Sequence, residues 1–237
     1  MPPSPESAGR TPATGTRAQK ESDPRRMVHR FTRGERWVHW SLAVMVAVLV
    51  VTAAALYVAP LEQLVGRRRL VEQIHVYTGY LLPLPLLLGW ARSAALRMDT
   101  RRLNRFTSHD WAWLRSRQRR SGAIAVGKFN AGQKLNASFT VGAIAVMLGT
   151  GVIMHFTRLW PLAWRTGATF VHDWLALSIV VMVAGHLWFA AKDPQARLGM
   201  RTGMVPLGWA RREHSAWADE VDAGTEQYRQ DTEETGR

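Results

Sequence analysis

The sequence predicts an all-α integral membrane protein, a four-transmembrane-helix bundle with both chain ends on the cytoplasmic side. Three observations carry that prediction. The apolar residues are gathered into four long blocks, the basic residues cluster at alternate block ends, and histidines recur inside the blocks at paired heights.

The mean hydropathy of −0.14 conceals the blocks, because strongly polar ends are averaged with segments that hold almost no charge. A bilayer core of ~30 Å needs about 20 helical residues to cross it. Four windows meet that length or approach it, at about 38–59, 74–91, 135–156 and 170–191. The second is the shortest and contains Pro83 and Pro85. Proline removes a backbone donor and bends a helix locally, which a membrane helix tolerates where its neighbours cover the freed carbonyls.

An even number of spans returns the chain to its starting side, and the distribution of Lys and Arg says which side that is. Residues 25–37, 92–134 and 192–212 together carry 21 basic residues, against 5 in the two opposite connections, Arg67, Arg68, Arg69, Arg158 and Arg165. The termini and the long loop are therefore expected in the cytoplasm. This asymmetry, facing anionic lipid, accounts for most of the formal charge of +13 and leaves no need for a nucleic-acid partner. With no cysteine, the chain has no disulfide and supplies no thiolate to zinc or to an iron–sulfur cluster.

Around the membrane domain, 27–212, residues 1–26 read as a disordered tail, rich in Pro, Ser, Thr and charge and lacking the apolar core of a secretory signal. Residues 213–237 read as a polar, acidic C-terminal tail. Within the 92–134 loop, His109-Asp110-Trp111-Ala112-Trp113-Leu114-Arg115 has the composition of a short interfacial helix.

Five of the eight histidines fall in the spans: His39, His75, His155, His172 and His186. Ionisable side chains at membrane depth are rare and mark functional positions. The alternating direction of the spans sets His39 and His186 near the cytoplasmic face, and His75 and His172 near the outer one. On the fourth span the two histidines are 14 residues apart, a rise of about 21 Å and only about 40° from register, so both imidazoles face one interior. Histidines paired between facing helices are how a bundle core clamps a planar metal cofactor, and neutral imidazole is an axial ligand of haem iron. Gly79 and Ala176 follow His75 and His172 by four residues and keep the ligands' helix faces clear. His155, at the outer rim, is a competing outer ligand, whereas His29, His109 and His214 lie outside the spans and are expected to meet solvent or a partner.

The run Gly127-Lys128-Phe129-Asn130-Ala131-Gly132-Gln133-Lys134 enters the third span at the depth of His39 and His186. Its amides are suited to a quinone carbonyl, and equally to a plain helix-entry turn. This run, with Arg36-Trp37-Val38-His39-Trp40, Ile74-His75-Val76-Tyr77-Thr78-Gly79 and the His172/His186 spacing, resembles the gamma subunit of membrane-bound formate dehydrogenase, a cytochrome b556, over most of residues 27–212. The resemblance implies two haem b groups, the outer one on His75 and His172 and the inner one on His39 and His186, with Asn130, Gly132 and Gln133 lining a site for menaquinone or ubiquinone. It implies an iron–sulfur beta subunit as partner and, through it, a molybdenum- or tungsten-dependent catalytic alpha subunit. Electrons would pass from the clusters to the outer haem, the inner haem and quinone, in a bacterial inner membrane, with this chain taking no part in formate chemistry itself. Asp173, directly after His172, departs from the expected pattern. Rival readings are a cytochrome b serving hydrogenase or thiosulfate reductase, and a haem-free anchor or transporter.

Overall fold

The computed structural model describes residues 23–119 and 121–224, so the predicted tails fall mostly outside it, at 1–22 and 225–237. A short strand, β1 (Met27–His29), precedes the first long helix, α1 (Arg33–Tyr57), and a short helix, α2 (Ala59–Val65). The second span comes in two pieces, α3 (Arg68–Leu81) and α4 (Leu84–Arg92), followed by α5 (Ala94–Leu103) and α6 (Ser108–Arg115). Then come α7 (Ala131–His155), α8 (Leu162–Lys192), α9 (Pro194–Thr202), β2 (Met204–Pro206) and α10 (Leu207–Glu213), and residues 215–224 form a last helix, α11.

Among the described residues, four helical stretches are long and apolar enough to cross a membrane: α1, α3 with α4, α7 and α8. Two of them start at capping boxes. Thr32 Oγ1 accepts from the Glu35 amide while Glu35 Oε2 accepts from that of Thr32, and Asn130 and Gln133 do the same at α7. Each box satisfies two donors that the first helical turn leaves unpaired. The break between α3 and α4 falls at Pro83, where the sequence predicts a bend, and the Leu82 amide closes it by donating to the Gly79 carbonyl at 3.3 Å.

Helix α1 packs along α3, and α7 along α8. A side chain on Gly89 of α4 would collide with Val38, so the two helices cross at contact distance because that position is bare. Interior burial is slight. In the most apolar windows of the four spans, 6%, 11%, 11% and 0% of residues are buried, far less than side chains packed only on one another would bury.

The densest core lies at one end of the bundle. There β1 pairs antiparallel with β2, Val28 opposite Val205, and with α10 and α11 it encloses Val28, Val205, Leu207, Trp209, Ala210, Trp217 and Ala218. Gly203, at φ +89°, makes the turn into β2, and its carbonyl accepts from the amides of Arg30 at 2.7 Å and Phe31 at 3.1 Å. A Cβ there would strike the Phe31 carbonyl, so glycine is required twice over. This capped end corrects the expectation that His214 meets solvent or a partner. His214 is 2% exposed and Trp217 5%, because Arg30, from the other end of the chain, is buried against them.

Candidate functional site

The four spans bring the intramembrane histidines together in two pairs. On α1 and α8, the rings of His39 and His186 have centroids 6.1 Å apart and planes at 54°. On α3 and α8, those of His75 and His172 are 6.4 Å apart at 60°. The first pair lies toward the capped end and the second toward the far end. Helix α8 is continuous from Leu162 to Lys192, so its two histidines are about 21 Å apart along one axis. His155 joins neither pair, and its ring meets the edge of Tyr80 with centroids 5.9 Å apart.

These separations suit one metal between each two rings. A metal–imidazole bond of about 2 Å on each side, plus about 1.1 Å from ring nitrogen to centroid, sums to about 6.2 Å. Among the described residues no three His, Asp or Glu side chains converge as a ligand set, so a metal held here needs its remaining ligands from a cofactor. The surroundings have room for one. Nothing stands within 4 Å of where a Cβ on Gly185, beside His186, would be, and beside Gly79 there is only a Leu49 methyl at 4.0 Å. Buried donors also await acceptors: Arg36 Nε toward the capped end, and Trp160 Nε1 and Arg165 Nε toward the far end, have no hydrogen-bond partner among the described residues. A porphyrin with two carboxylates fits this donor set and these bare faces.

At the far end each histidine is oriented by a threonine. His75 Nδ1 lies 2.8 Å from Thr52 Oγ1, and His172 Nδ1 2.9 Å from Thr150 Oγ1. Asp173 accepts a short hydrogen bond from the Tyr57 hydroxyl, so in this fold its carboxylate faces α1.

The 127–134 run sits at the capped end, held by three buried cations. Lys128 Nζ donates to Glu35 Oε1 at 3.0 Å and to Asp99 Oδ2 at 2.5 Å. Burial, and then the hydrogen bond shared with Glu35, push the Asp99 carboxyl up to about 7 against the pull of Lys128. Lys134 Nζ donates to Asp110 Oδ2 at 2.7 Å and to the Arg105 carbonyl at 2.9 Å. Although burial opposes it, Asp110 is held below the usual carboxylate range by Lys134 and by the Thr107 amide and hydroxyl. Arg30 Nη2 donates to the Lys128 carbonyl and meets His214 Nε2, both at 2.9 Å, while His214 Nδ1 lies 2.8 Å from the Gly127 carbonyl. Burial lowers the Arg30 guanidinium to about 10, offset in part by Asp193 and Asp99, and its face lies 4.6 Å from the Trp209 ring.

Asn130, Gly132 and Gln133 are half-buried at the start of α7. The capping box engages Asn130 Oδ1 and Gln133 Oε1, which leaves their amide NH2 groups as the donors these residues can offer. A cavity of about 170 Å³ beside the run is lined by His109, Asp110, Trp113 and Lys134, among others. It is smaller than the ~300 Å³ at which ordinary small-molecule sites begin.

Sequence reasoning passed over Thr52, Thr150, Glu35, Asp99 and Asp110. The local signals available were Thr32 with Glu35 and Thr107 with Asp110, each at capping-box spacing.

Comparison with known proteins agrees with this architecture. A family model described as prokaryotic cytochrome b561 matches residues 30–199. The chain is 21% identical over 199 residues to the nitrate-inducible formate dehydrogenase cytochrome b556(Fdn) subunit of Escherichia coli K12, covering 79% of this chain and 88% of that protein. It is 24% identical over 192 residues to the formate dehydrogenase cytochrome b556 subunit of Haemophilus influenzae, covering 76% and 77%. To the cytochrome b556(fdo) subunit of Escherichia coli K12 it is 22% identical over 207 residues, covering 83% and 94%.

Proposed function

Because the chain belongs to the prokaryotic cytochrome b561 family, we propose that it is the di-haem b subunit of a membrane-bound formate dehydrogenase, relaying electrons across the membrane to quinone. One observation carries the reading: two histidine pairs, each at the separation that one iron spans, stacked about 21 Å apart on a shared helix. A haem in each pair supplies one-electron transfer, and the rest falls to the protein.

His39 and His186 hold the inner group and His75 and His172 the outer one. Their neutral rings present a nitrogen to iron without adding charge to the bilayer. The capped end faces the cytoplasm, in keeping with the sequence count of 21 basic residues in segments 25–37, 92–134 and 192–212 against 5 in the two opposite connections. The amide NH2 groups of Asn130 and Gln133 bind the carbonyls of menaquinone or ubiquinone, and Gly132 keeps the approach narrow but open. A Cβ on Gly132 would come within 3.2 Å of the Trp113 ring, so little is needed to close it. At the far end the chain meets an iron–sulfur beta subunit and, through it, a molybdenum or tungsten alpha subunit. The assignment of a formate system to this chain rests on the names of its relatives.

The test is a haem count on the purified membrane complex. Pyridine haemochrome quantitation is expected to give two b haems per chain, and His39→Ala or His186→Ala should leave one, still reducible by formate but without quinone reductase activity. A two-haem stoichiometry in either variant refutes the assignment.

A further inference from the structure

The two histidine pairs differ in what stands behind them. Each far-end ring is backed by a threonine from another helix: Thr52 on α1 behind His75, Thr150 on α7 behind His172. Among the described residues no hydrogen bond reaches a ring nitrogen of His39 or His186. The two threonines are built alike. Thr52 Oγ1 lies 2.7 Å from the Val48 carbonyl and 3.1 Å from that of Leu49. Thr150 Oγ1 lies 2.7 Å from the Val146 carbonyl and 3.2 Å from that of Met147.

A hydroxyl has one proton and carbonyls only accept. With that proton committed to its own helix, each threonine oxygen has only lone pairs left for the imidazole, so the ring must carry its proton on Nδ1. Nε2 is thereby left deprotonated and turned to the opposite side of the ring, where a metal would stand. A bond from Nδ1–H to an acceptor also makes the imidazole a stronger electron donor, which favours the oxidised metal.

We propose that Thr52 and Thr150 are positioning residues that fix the tautomer of the outer haem ligands and lower the outer haem's reduction potential below that of the inner one. The inference rests on the two-haem reading above and adds a direction to it: electrons entering at the far end find the lower-potential centre first and move on to the inner one.

Thr150→Val is the primary variant, since valine keeps the shape and removes the hydroxyl, and His172 has no second acceptor among the described residues. Losing one hydrogen bond of about 1 kcal/mol, only part of which depends on redox state, shifts the one-electron reduction equilibrium about three- to fivefold. At 59 mV per tenfold this is a rise of about 30 to 40 mV. The measurement is a potentiometric titration of the purified complex with low-spin ferric EPR, using His39→Ala to assign the outer signal. Expected are a raised outer midpoint, an unmoved inner midpoint, a moved outer EPR signal and a larger rise in the Thr52→Val/Thr150→Val double variant, with Thr150→Ser near wild type. If Thr150→Val drops the outer haem while Thr150→Ser keeps it, the hydroxyl is still what holds the ligand. An unmoved outer midpoint with both haems bound overturns the proposal, as do equal shifts of both haems or loss of the outer haem in the valine and serine variants alike. A wild-type complex without two haems fails the underlying reading instead, and the haem count separates the two cases.

Discussion

Replacing Lys128 with methionine tests whether the capped end is held by charge. The methionine keeps the apolar stem between Phe31 and Phe129, whose ring centroids lie 5.1 and 5.5 Å from Nζ, and removes the cation shared by Glu35 and Asp99. The lysine side chain is 10% exposed and the two carboxylates 5% and 6%, so water cannot compensate. Breaking such a buried pair costs about 3–5 kcal/mol, because the partner charge is left uncompensated.

The loss should depend on pH, and the sign follows from Asp99. Its carboxyl is raised from an ordinary 3.8 to about 7, so the stability it contributes is full below about pH 4 and disappears as the pH climbs through 7. Without Lys128, only a proton can relieve the repulsion between the two carboxylates. The carboxyl then titrates higher still, and each further unit of pH rise up to that point costs about 1.4 kcal/mol. We expect Lys128→Met to lose about 3–5 kcal/mol at pH 8.5 and substantially less at pH 5.5. Unfolding in mild detergent, followed by tryptophan fluorescence at both values, measures it, and Lys128→Met/Glu35→Gln should recover much of the high-pH loss. A deficit equal at the two pH values, or below about 1 kcal/mol at pH 8.5, would refute the reasoning.

The proposed quinone donor is separable from the helix cap at Asn130. Asn130→Asp keeps the acceptor that caps α7 and loses the NH2, so it should weaken binding of a quinone analogue about as much as Asn130→Ala while avoiding the alanine's extra ~1 kcal/mol of instability; an unchanged inhibitor constant in both would eliminate the role. Asp110→Asn strands the buried Lys134 cation at a cost of about 3 kcal/mol near neutral pH. Because the Asp110 carboxyl is held below its ordinary 3.8, its contribution is present above that value and lost as pH falls through the depressed one, so in acid unfolding curves the variant should begin to approach wild type below about pH 4 and converge on it only once pH passes the depressed value.

The membrane architecture was legible because its signals are local or cumulative. A span declares itself over 20 residues, Pro83 marks its own break, and the depth of His39, His75, His172 and His186 follows from span direction alone. The threonine keys had no such signal. Thr52 precedes His75 by 23 residues and Thr150 precedes His172 by 22, each on a different helix from its histidine, and threonines are unremarkable in membrane helices. The cap escaped for a similar reason. Its pairing of Val28 with Val205 and of Arg30 with His214 crosses most of the chain, and an acidic, polar stretch after Arg212 gives no warning that His214 and Trp217 are buried.

That cap bears directly on the 127–134 run. Arg30 and His214 fix the Lys128 and Gly127 carbonyls, Glu35 and Asp99 fix the Lys128 side chain, and Asp110 fixes Lys134. Three buried cations held from separate elements leave the segment little freedom, and the Asn130–Gln133 box aligns it with the axis of α7. On the proposed function, amides that receive a quinone carbonyl gain from such rigidity, since a donor misplaced by about 1 Å forfeits much of its effect. The ion pairs hold this polar loop in one arrangement with the amides of Asn130 and Gln133 at its end, and one of them ties it to Glu35 on α1, one helical turn before His39.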